Sequence, residues 1–272
     1  MNNNIFDLTG KTALITGAGG LLGPKHAEAI IEFGGKVILT DWHEDRAQQR
    51  SLELNEKYGP ESTTWHYMDV TNKESIENVV NQYDKIDILI NNAAKDPKVK
   101  KDAGLTPASR FETMSTEYWF EGINAAVNGT FFCSQVISNK MLESGGGVIL
   151  NISSDLGVIA PDQRIYRKEG VSEENQNVKP ITYSAAKWAI VGMTKYLGVY
   201  FAKKNIRVNC LSPTGVFNNH PEDFVKKLSN IIPMGRMAHI DEYKGAIVFL
   251  CSDASSYMTG ENMVIDGGKT VW

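Results

Sequence analysis

A cluster of glycines between two apolar segments constrains the fold of this chain more than any other feature. The apolar run 11–16 enters the sequence Gly17-Ala-Gly-Gly-Leu-Leu-Gly23, and a helical pattern follows as far as Phe33. A second apolar run, 36–40, ends in Asp41, 24 positions after Gly17. Strand, glycine turn, helix, strand and acid in this order predict a parallel βαβ unit. The alternative is a purely structural glycine turn followed by an ordinary exposed aspartate.

The glycine turn also predicts a ligand. Glycines let the backbone approach a pyrophosphate closely, and the N-terminus of the next helix supplies N–H donors and the positive end of a dipole. A carboxylate at Asp41 suits the adenosine ribose diol and repels a 2′-phosphate, which favours NAD over NADP. The predicted contacts of the turn are Gly17, Gly19, Gly20, Leu22 and Gly23.

Strand and helix patterns alternate along the rest of the chain. Candidate strands cover residues 11–16, 36–40, 63–67, 87–91, 146–152, 206–211 and 262–266. Candidate helices cover residues 22–34, 43–58, 72–84, 115–143, 182–203 and 240–252. This order predicts an α/β fold, a doubly wound parallel sheet of about seven strands with helices on both faces. With 272 residues, 42% hydrophobic content and no linker-like segment, residues 1–272 are expected to form one domain.

Tyr183 and Lys187 lie four residues apart, so a helix that begins after Pro180 would place them on one face, one turn apart. A nearby ammonium and the helix dipole both favour the phenolate form of a tyrosine. Tyr183 could then exchange a proton near physiological pH. A single Tyr-x-x-x-Lys pair also arises by chance on amphipathic helices. Whether this pair indicates catalysis therefore depends on the other motifs of the chain.

Seven motifs together resemble the short-chain dehydrogenase/reductase family, from about residue 8 to residue 268. They are Thr16 to Gly23, Asp69-Val70, Asn91-Asn92-Ala93-Ala94, Asn151-Ile152-Ser153-Ser154, Tyr183 to Lys187, Pro213 to Asn218, and Asp266-Gly267-Gly268. The resemblance implies that Tyr183 is the general acid/base and that Lys187 holds the nicotinamide ribose. It implies that Ser154 hydrogen-bonds the reacting oxygen while hydride passes between the cofactor NAD and a carbinol carbon.

Further cofactor contacts follow only from the resemblance. They are Asp69 and Val70 beside the adenine, Asn91 and Ala93 between the ribose units, and Pro213, Gly215 and Val216 facing the nicotinamide. Ordinary structural roles are the alternative: Ser153 and Ser154 would end a strand, and Asn91 and Asn92 would form a turn.

Two motifs depart from the family pattern near the expected cofactor. The middle glycine of the turn is replaced by Leu21, with an extra glycine at Gly20. The Pro-Gly pair of the family becomes Pro213-Thr214-Gly215, and Asn218 stands where threonine is usual. The phosphate turn and the nicotinamide contacts are therefore expected to differ locally from the family.

A third departure concerns a helix. Ala126 occupies the position of the asparagine that relays protons through a water in the family. Asn124 and Asn128 lie two residues to either side, about 200° round a regular helix, so neither is expected to replace it without a change of register.

Two insertions near 95–114 and 155–180 begin at the expected substrate edge of the sheet. Their basic residues are Lys95, Lys98, Lys100, Lys101, Arg110, Arg164, Arg167 and Lys168. In a chain of net charge −4 they indicate an anionic substrate, such as a phosphorylated or nucleotide-linked sugar, unless they are simply solvated loops. The stretch 160–166 and the turn Gly19-Gly-Leu-Leu-Gly23 also resemble the flagellin-modification-protein-A-like branch, which is associated with bacterial surface-sugar biosynthesis.

The expected function is an NAD-dependent oxidoreductase that interconverts a secondary alcohol and a ketone on a sugar or nucleotide-sugar derivative in surface-glycan biosynthesis. A 3-oxoacyl thioester reductase is the rival enzyme, although Asp41 weighs against the NADPH that such reductases commonly use. A cofactor-binding protein without catalysis is the other alternative, which the intact Ser154, Tyr183 and Lys187 oppose. The sequence names neither the substrate nor the favoured direction.

The composition of the chain restricts the expected cellular compartment and the classes of partner. Cys133, Cys210 and Cys251 are few and far apart, which indicates buried thiols in a reducing, cytoplasmic compartment and no disulfide or metal site. The start of the chain has no signal pattern, and no apolar run approaches the ~18 residues of a membrane span. The net charge of −4 gives no electrostatic footprint for nucleic acid.

The expected partners are a small-molecule substrate and further copies of the chain. The candidate helices 115–143 and 182–203 carry apolar residues on more than one face, including Phe131, Ile190 and Phe201. A single sheet cannot cover all of this surface, which indicates a homodimer or homotetramer.

Overall fold

The computed structural model describes residues 4–95 and 109–272, and in these ranges seven parallel strands form one sheet in the order β3-β2-β1-β4-β5-β6-β7. The strands are β1 (Thr12–Thr16), β2 (Lys36–Asp41), β3 (Thr63–Tyr67), β4 (Ile88–Asn91), β5 (Gly147–Ile152), β6 (Ile206–Pro213) and β7 (Asn262–Ile265). The α-helices are α1 (Gly23–Glu32), α2 (Glu44–Tyr58), α3 (Lys73–Val80), α4 (Thr116–Ile123), α5 (Gly129–Glu143), α6 (Ile181–Phe201), α7 (Glu222–Ser229) and α8 (Lys244–Cys251). The predicted doubly wound fold is confirmed.

Both faces of the sheet are covered, because the strands are apolar on both sides. Ala13 and Ile15 of β1 belong to the core that includes residues of α1 and α8, whereas Leu14 belongs to the core with residues of α3 and α5. Parallel sheets with helices on both faces favour such continuous apolar strands. No helix in the described part of the chain is long and apolar enough to cross a membrane.

The strand order reverses between β1 and β4. The chain leaves β1 toward β2 on one side, and β4 later pairs with the other side of β1, with Ile15 opposite Ile90. The loops after β1 and β4 lie side by side at the carboxyl edge of the sheet, and the helices α1 and α5 that follow them pack on opposite faces, which leaves a crevice beyond the strand ends. Ligands of open α/β sheets bind in this crevice, so the fold brings Gly17 and Asn92 to the expected place.

The predicted helix 115–143 is wrong as one continuous α-helix. A π-helical turn, Asn124–Asn128, separates α4 from α5, and the Gly129 N–H donates back to the Asn124 carbonyl. Such π turns insert one residue into the helical repeat. The predicted helix 72–84 ends earlier, at Val80, and the last predicted helix begins later, at Lys244. Helix α7 has only eight residues and was not predicted.

The second insertion, residues 155–180, is folded and is called the inserted lobe below. It contains three 3-10 turns, Asp155–Gly157, Gln163–Tyr166 and Glu173–Asn175. Buried Ile165 belongs to a small apolar core with Phe224, Leu228, Ile232 and Met237. The lobe leaves the sheet at the end of β5 and returns at the start of α6, so it adjoins both Ser154 and Tyr183. The first insertion falls largely on residues 96–108, outside the described residues.

Candidate active site

The turn after β1 depends on three of its glycines. Gly17 has φ +62°, and a Cβ there would lie 2.8 Å from the Ala93 Cα. A Cβ at Gly19 would lie 2.6 Å from the Arg46 Cβ, and one at Gly23 would lie 2.6 Å from the Ala18 Cα and carbonyl oxygen. These three positions therefore accept no side chain without a shift of the backbone.

The departure in the middle of the turn has a simple structural reason. Leu21 is more than a third exposed, so its side chain points away from the core. Gly20 has an ordinary negative φ, and its N–H donates to the Gly17 carbonyl at 3.1 Å. Leu22 precedes α1 as its N-cap residue, and Pro24 in the first turn suits a position where the backbone needs no N–H donor. The turn thus keeps its close packing at both ends and tolerates leucine at its tip.

Asp41 is buried at the end of β2 and faces the glycine turn. Its Oδ2 accepts from the Gly19 N–H at 2.9 Å, and its Oδ1 accepts from the His43 N–H at 2.9 Å. A carboxylate has about four acceptor sites, so two remain for the hydroxyls of a ribose. The glycine cradle and this carboxylate fit the adenosine half of a dinucleotide.

Thr16 and Asn92 were not predicted as site residues, yet they join the two loops of the crevice. The Thr16 Oγ1 accepts from the N–H groups of Asn92 and Ala93, both at 3.0 Å. The Asn92 amide donates to the carbonyls of Thr16 and Gly17, also at 3.0 Å. These bonds hold Ala93 against Gly17. The asparagine doublet at a strand end was the available signal in the sequence.

The side chain of Asn91 points into the protein. Its amide donates to the Asn151 Oδ1 at 2.8 Å and to the Ser134 Oγ at 3.0 Å, and Asn151 in turn donates to Thr194. This buried network joins β4, β5, α5 and α6. Any contact of Asn91 with a cofactor would therefore come from its backbone, which is a narrower role than the sequence suggested.

Asp69 and Val70 follow β3, next to the end of β2. Asp69 accepts from the N–H and the hydroxyl of Thr71, both at 2.8 Å, which fixes the turn after the strand. Buried Val70 packs on Gly129, where an added Cβ would lie 2.7 Å from its Cγ2. Both residues lie on the Asp41 side of the crevice, since the Met68 N–H donates to the Asp41 carbonyl.

Tyr183 lies in the first turn of α6, as predicted, and Lys187 lies one turn later. The Tyr183 N–H donates to the Pro180 carbonyl at 3.2 Å, and the Lys187 Nζ lies 5.6 Å from the centre of the Tyr183 ring. Lys187 is buried, and its Nζ donates to the Ile152 carbonyl at 2.9 Å. The Lys179 Nζ lies 3.9 Å from the centre of the same ring. Two ammonium groups therefore lie beside the Tyr183 ring.

The two serines after β5 have different roles. The Ser153 Oγ donates to the Lys187 carbonyl at 2.8 Å and so ties the strand end to α6. The Ser154 Oγ donates to the Asp155 Oδ1 at 2.7 Å and accepts from the Leu156 N–H at 3.2 Å. Ser154 thus caps the 3-10 turn Asp155–Gly157 that follows β5, and polar contacts hold it next to the helix that carries Tyr183.

The segment after β6 lies beside these residues. The Thr214 N–H donates to Ile265 of β7, and its hydroxyl donates to Asp155 at 2.7 Å. A Cβ at Gly215 would lie 2.8 Å from a methyl group of Leu228, and Val216 forms a parallel bridge with Ala238. The inserted threonine of Pro213-Thr214-Gly215 therefore has a defined partner, which the sequence analysis missed.

Ala126 packs in an apolar cluster with Ala186 and Ile190 of α6. Asn128 donates to the Asn124 Oδ1 at 2.7 Å, so the two asparagines beside it bond to each other. The expectation that neither asparagine replaces Ala126 without a change of register stays a prediction, because the π turn Asn124–Asn128 changes the register at this place.

Two of the four basic residues of the inserted lobe, Arg164 and Arg167, are paired with carboxylates. Arg164 forms a bidentate ion pair with Asp162, and Arg167 pairs with Glu173. Arg110 donates from the first insertion to the Glu173 carbonyl at 2.9 Å. Lys98, Lys100 and Lys101 lie outside the described residues. These pairs reduce the positive field that an anionic substrate would meet.

Comparisons with known proteins agree with this geometry. The family model adh_short_C2, described as "Enoyl-(Acyl carrier protein) reductase", matches residues 18–270. An NAD-dependent glycerol dehydrogenase of Listeria innocua is 34% identical over 98% of this chain and 96% of its own. A D-threitol dehydrogenase of Mycolicibacterium smegmatis is 32% identical over 98% of this chain and 95% of its own.

Solved structures give the same result. A short-chain dehydrogenase from Leptospira borgpetersenii with bound NAD+ is 33% identical and superposes with a TM-score of 0.81, over 100% of this chain and 97% of its own. The relatives and structures cover nearly the whole chain, and the Tyr183–Lys187 pair, the glycine turn and the sheet order are all in place. The protein is an alcohol/ketone oxidoreductase that belongs to the short-chain dehydrogenase/reductase family.

Proposed function

We propose that this protein is an NAD(H)-dependent dehydrogenase that interconverts a secondary alcohol and a ketone on a small polyol or a related sugar derivative. The observation that carries the proposal is the placement of Tyr183, Lys187 and Ser154 where β5 meets α6, beyond the carboxyl end of the sheet. Such a crevice is where ligands of doubly wound folds bind. We also propose a cytoplasmic location, which rests on the sequence alone.

The glycine turn, Asp41 and Lys187 would hold the cofactor. When bound, the nicotinamide supplies or accepts the hydride. Tyr183 removes the proton from the alcohol oxygen during oxidation and returns it to the carbonyl oxygen during reduction. Lys187 supplies positive charge beside the phenolate, and Ser154 holds the reacting oxygen so that it faces Tyr183.

The substrate class rests on two observations. Relatives named for glycerol and D-threitol suggest a small uncharged polyol. The ion pairs of Arg164 and Arg167 weaken the case for an anion. A nucleotide-linked sugar of surface-glycan biosynthesis, and with it the flagellin-modification branch, stays a prediction.

The acid/base role is tested with Tyr183→Phe. We expect the variant to bind NAD(H) normally, because only the phenolic oxygen is lost, and to lower kcat by about 10²-fold or more. The measurement is steady-state oxidation of glycerol, threitol and mannitol, with cofactor affinity from nicotinamide fluorescence. Turnover near the wild-type rate in this variant would remove Tyr183 from the mechanism.

The cofactor preference is tested with Asp41→Ser. Wild type should favour NAD(H), because its carboxylate repels a 2′-phosphate, and the variant should shift the ratio of kcat/KM for the two cofactors toward NADP(H) by about tenfold or more. Asp45→Ser, a neighbouring acidic residue at the start of α2, is the matched control. A wild-type preference for NADP(H) would refute the assignment and would point to Arg46, whose Cβ lies beside Gly19.

A second candidate is reduction of an acyl thioester. The ketone reduced would be the 3-oxo group, and the observation that favours it is a relative named as a 3-oxoacyl-[acyl-carrier-protein] reductase of Aquifex aeolicus, 32% identical over 96% of this chain. Reduction of acetoacetyl-CoA with NADPH, measured beside oxidation of the polyols with NAD+, separates the two activities. A kcat/KM for the thioester above that of every polyol would replace the polyol proposal.

A further inference from the structure

A buried ion pair lies directly behind Ser154. The Lys269 Nζ lies 2.7 Å from the Asp155 Oδ2, and the two residues are 8% and 3% exposed. Asp155 immediately follows Ser154 after β5, whereas Lys269 lies in the C-terminal segment after β7. The pair therefore joins the segment that carries Ser154 to the end of the chain.

The Asp155 carboxylate accepts four hydrogen bonds. Its Oδ1 accepts from the Ser154 Oγ at 2.7 Å and from the Leu156 N–H at 2.8 Å. Its Oδ2 accepts from the Thr214 Oγ1 at 2.7 Å and from the Lys269 Nζ. These four bonds match the acceptor capacity of a carboxylate. Three segments, after β5, β6 and β7, thus meet at one side chain that contacts Ser154.

We propose that Asp155 and Lys269 are positioning residues that act through Ser154. A serine hydroxyl rotates among staggered positions unless its partners fix it. In the free enzyme Asp155 accepts the Ser154 hydrogen and the Leu156 N–H donates to the same oxygen, so the oxygen has one defined place. From that place the hydroxyl turns its single hydrogen to the reacting oxygen when substrate binds. Lys269 and Thr214 hold the Oδ2 and thereby turn the Oδ1 toward Ser154. This inference rests on the role that the proposed function gives to Ser154.

The alternative is that the pair only fastens the C-terminal segment. A buried ion pair contributes little net stability to a fold, because desolvation of both charges offsets much of their attraction. An apolar pair of similar size would fasten the segment as well. What an apolar pair cannot do is accept a hydrogen bond from Ser154, and Asp155 makes that bond.

Epistasis with Ser154 tests the proposal. Asp155→Asn, Lys269→Met and the double variant are made in wild type and in a Ser154→Ala background, and kcat is measured on the best polyol found in the substrate panel. In wild type we expect each variant to lower kcat about tenfold or more, because a misplaced group of the site is costly. In the Ser154→Ala background the same changes should alter the residual kcat by less than about twofold, because effects that share one path do not add.

The double variant controls for unfolding caused by an unpaired buried charge, since it removes both charges together. Asp87→Asn is the matched control: Asp87 is a buried carboxylate that accepts from the Thr12 N–H at 3.0 Å and pairs with Lys85. It lies at the amino-terminal edge of the sheet, far from Ser154. It should lower the melting temperature and leave kcat unchanged in both backgrounds.

Three outcomes would overturn the proposal. Equal fold losses in both backgrounds would show that the pair is structural. An unchanged kcat in folded Asp155→Asn would show that Ser154 needs no such partner. A wild-type kcat in Ser154→Ala itself would overturn both this inference and the role of Ser154. If Ser154→Ala is impaired and the Asp155 and Lys269 variants lower kcat by the same factor in both backgrounds, only this inference is overturned.

Discussion

His26 shows how a single residue beneath the cofactor turn ties stability to pH. It lies on α1, is buried, and lies next to Asn92, whose side chain holds the glycine turn. Its Nε2 has no hydrogen-bond partner among the described residues. Burial lowers the His26 pKa from 6.5 to about 4, so the folded protein holds this ring neutral.

We therefore expect an acid-dependent loss of stability that belongs to His26. Between pH 6.5 and about 4 the unfolded chain binds a proton at His26 that the folded chain does not. The contribution of neutral His26 to the free energy of unfolding is therefore complete above pH 6.5 and declines as the pH falls. At pH 5 the loss is about 2 kcal/mol. Urea unfolding of wild type and His26→Gln at pH 7.5 and pH 5 measures it. The variant should lose about 2 kcal/mol less than wild type between these two pH values; equal losses would contradict the assignment.

At the same scale, the sequence predicted residues whose role depends on local spacing. Tyr183 and Lys187 need only a helix between them, and Asp41 needs only the end of a strand. Asp155 and Lys269 are 114 positions apart, and nothing in the spacing of either predicts the other. Their contact exists only because the sheet brings the ends of β5 and β7 together. The positioning pair was therefore beyond sequence reasoning, whereas the acid/base pair was not.

At the scale of elements, regular periods were predictable and tertiary packing was not. The strands and the glycine turn follow from apolar runs and glycine chemistry, and their bounds differ by only one or two residues from the structure. The π turn between α4 and α5 has no local signal, and the fold of the inserted lobe depends on distant contacts. Its Ile165 meets Phe224 and Leu228 of α7, which are about 60 residues away along the chain. The basic residues were visible in the sequence, but their acidic partners could not be assigned from it.

The inserted lobe should control substrate affinity through Gln176. The buried amide of Gln176 donates to the carbonyls of Lys168 and Val171 and accepts from the Lys168 N–H, at 2.7 to 2.9 Å. Gln176→Ala removes these three bonds, each of which contributes about 0.5–1.5 kcal/mol net to the stability of the lobe.

Because the lobe lies between Ser154 and Tyr183 in the chain, we expect this variant to raise the KM for the polyol about tenfold, with a smaller change in kcat. The cofactor affinity should hold, because the glycine turn and Asp41 are untouched. Gln49→Ala, on the exposed face of α2, is the matched control. An unchanged KM would show that the lobe takes no part in substrate binding.

At the scale of the whole molecule, α6 leaves an apolar stripe without cover. Trp188, Tyr196 and Val199 are 52%, 68% and 80% exposed and recur at helical spacing along one face of α6. Tyr200 stacks on Tyr196, and Phe131 of α5 is also exposed. Contiguous apolar surface of this kind marks an interaction site. A second copy of the chain, related by a twofold axis, can pair such a stripe with itself.

We therefore expect a homo-oligomer. Light scattering at micromolar concentration should give a mass of at least twice the 30.1 kDa of one chain. Val199→Glu combined with Tyr196→Glu should reduce the mass, because burying two unpaired carboxylates on each side of an interface costs far more than an apolar stripe gains. Leu52→Glu is the matched control, since Leu52 is equally exposed on α2 but lies away from the stripe. A wild-type monomer would contradict self-association, and an unchanged mass in the double variant would place the interface elsewhere on the molecule.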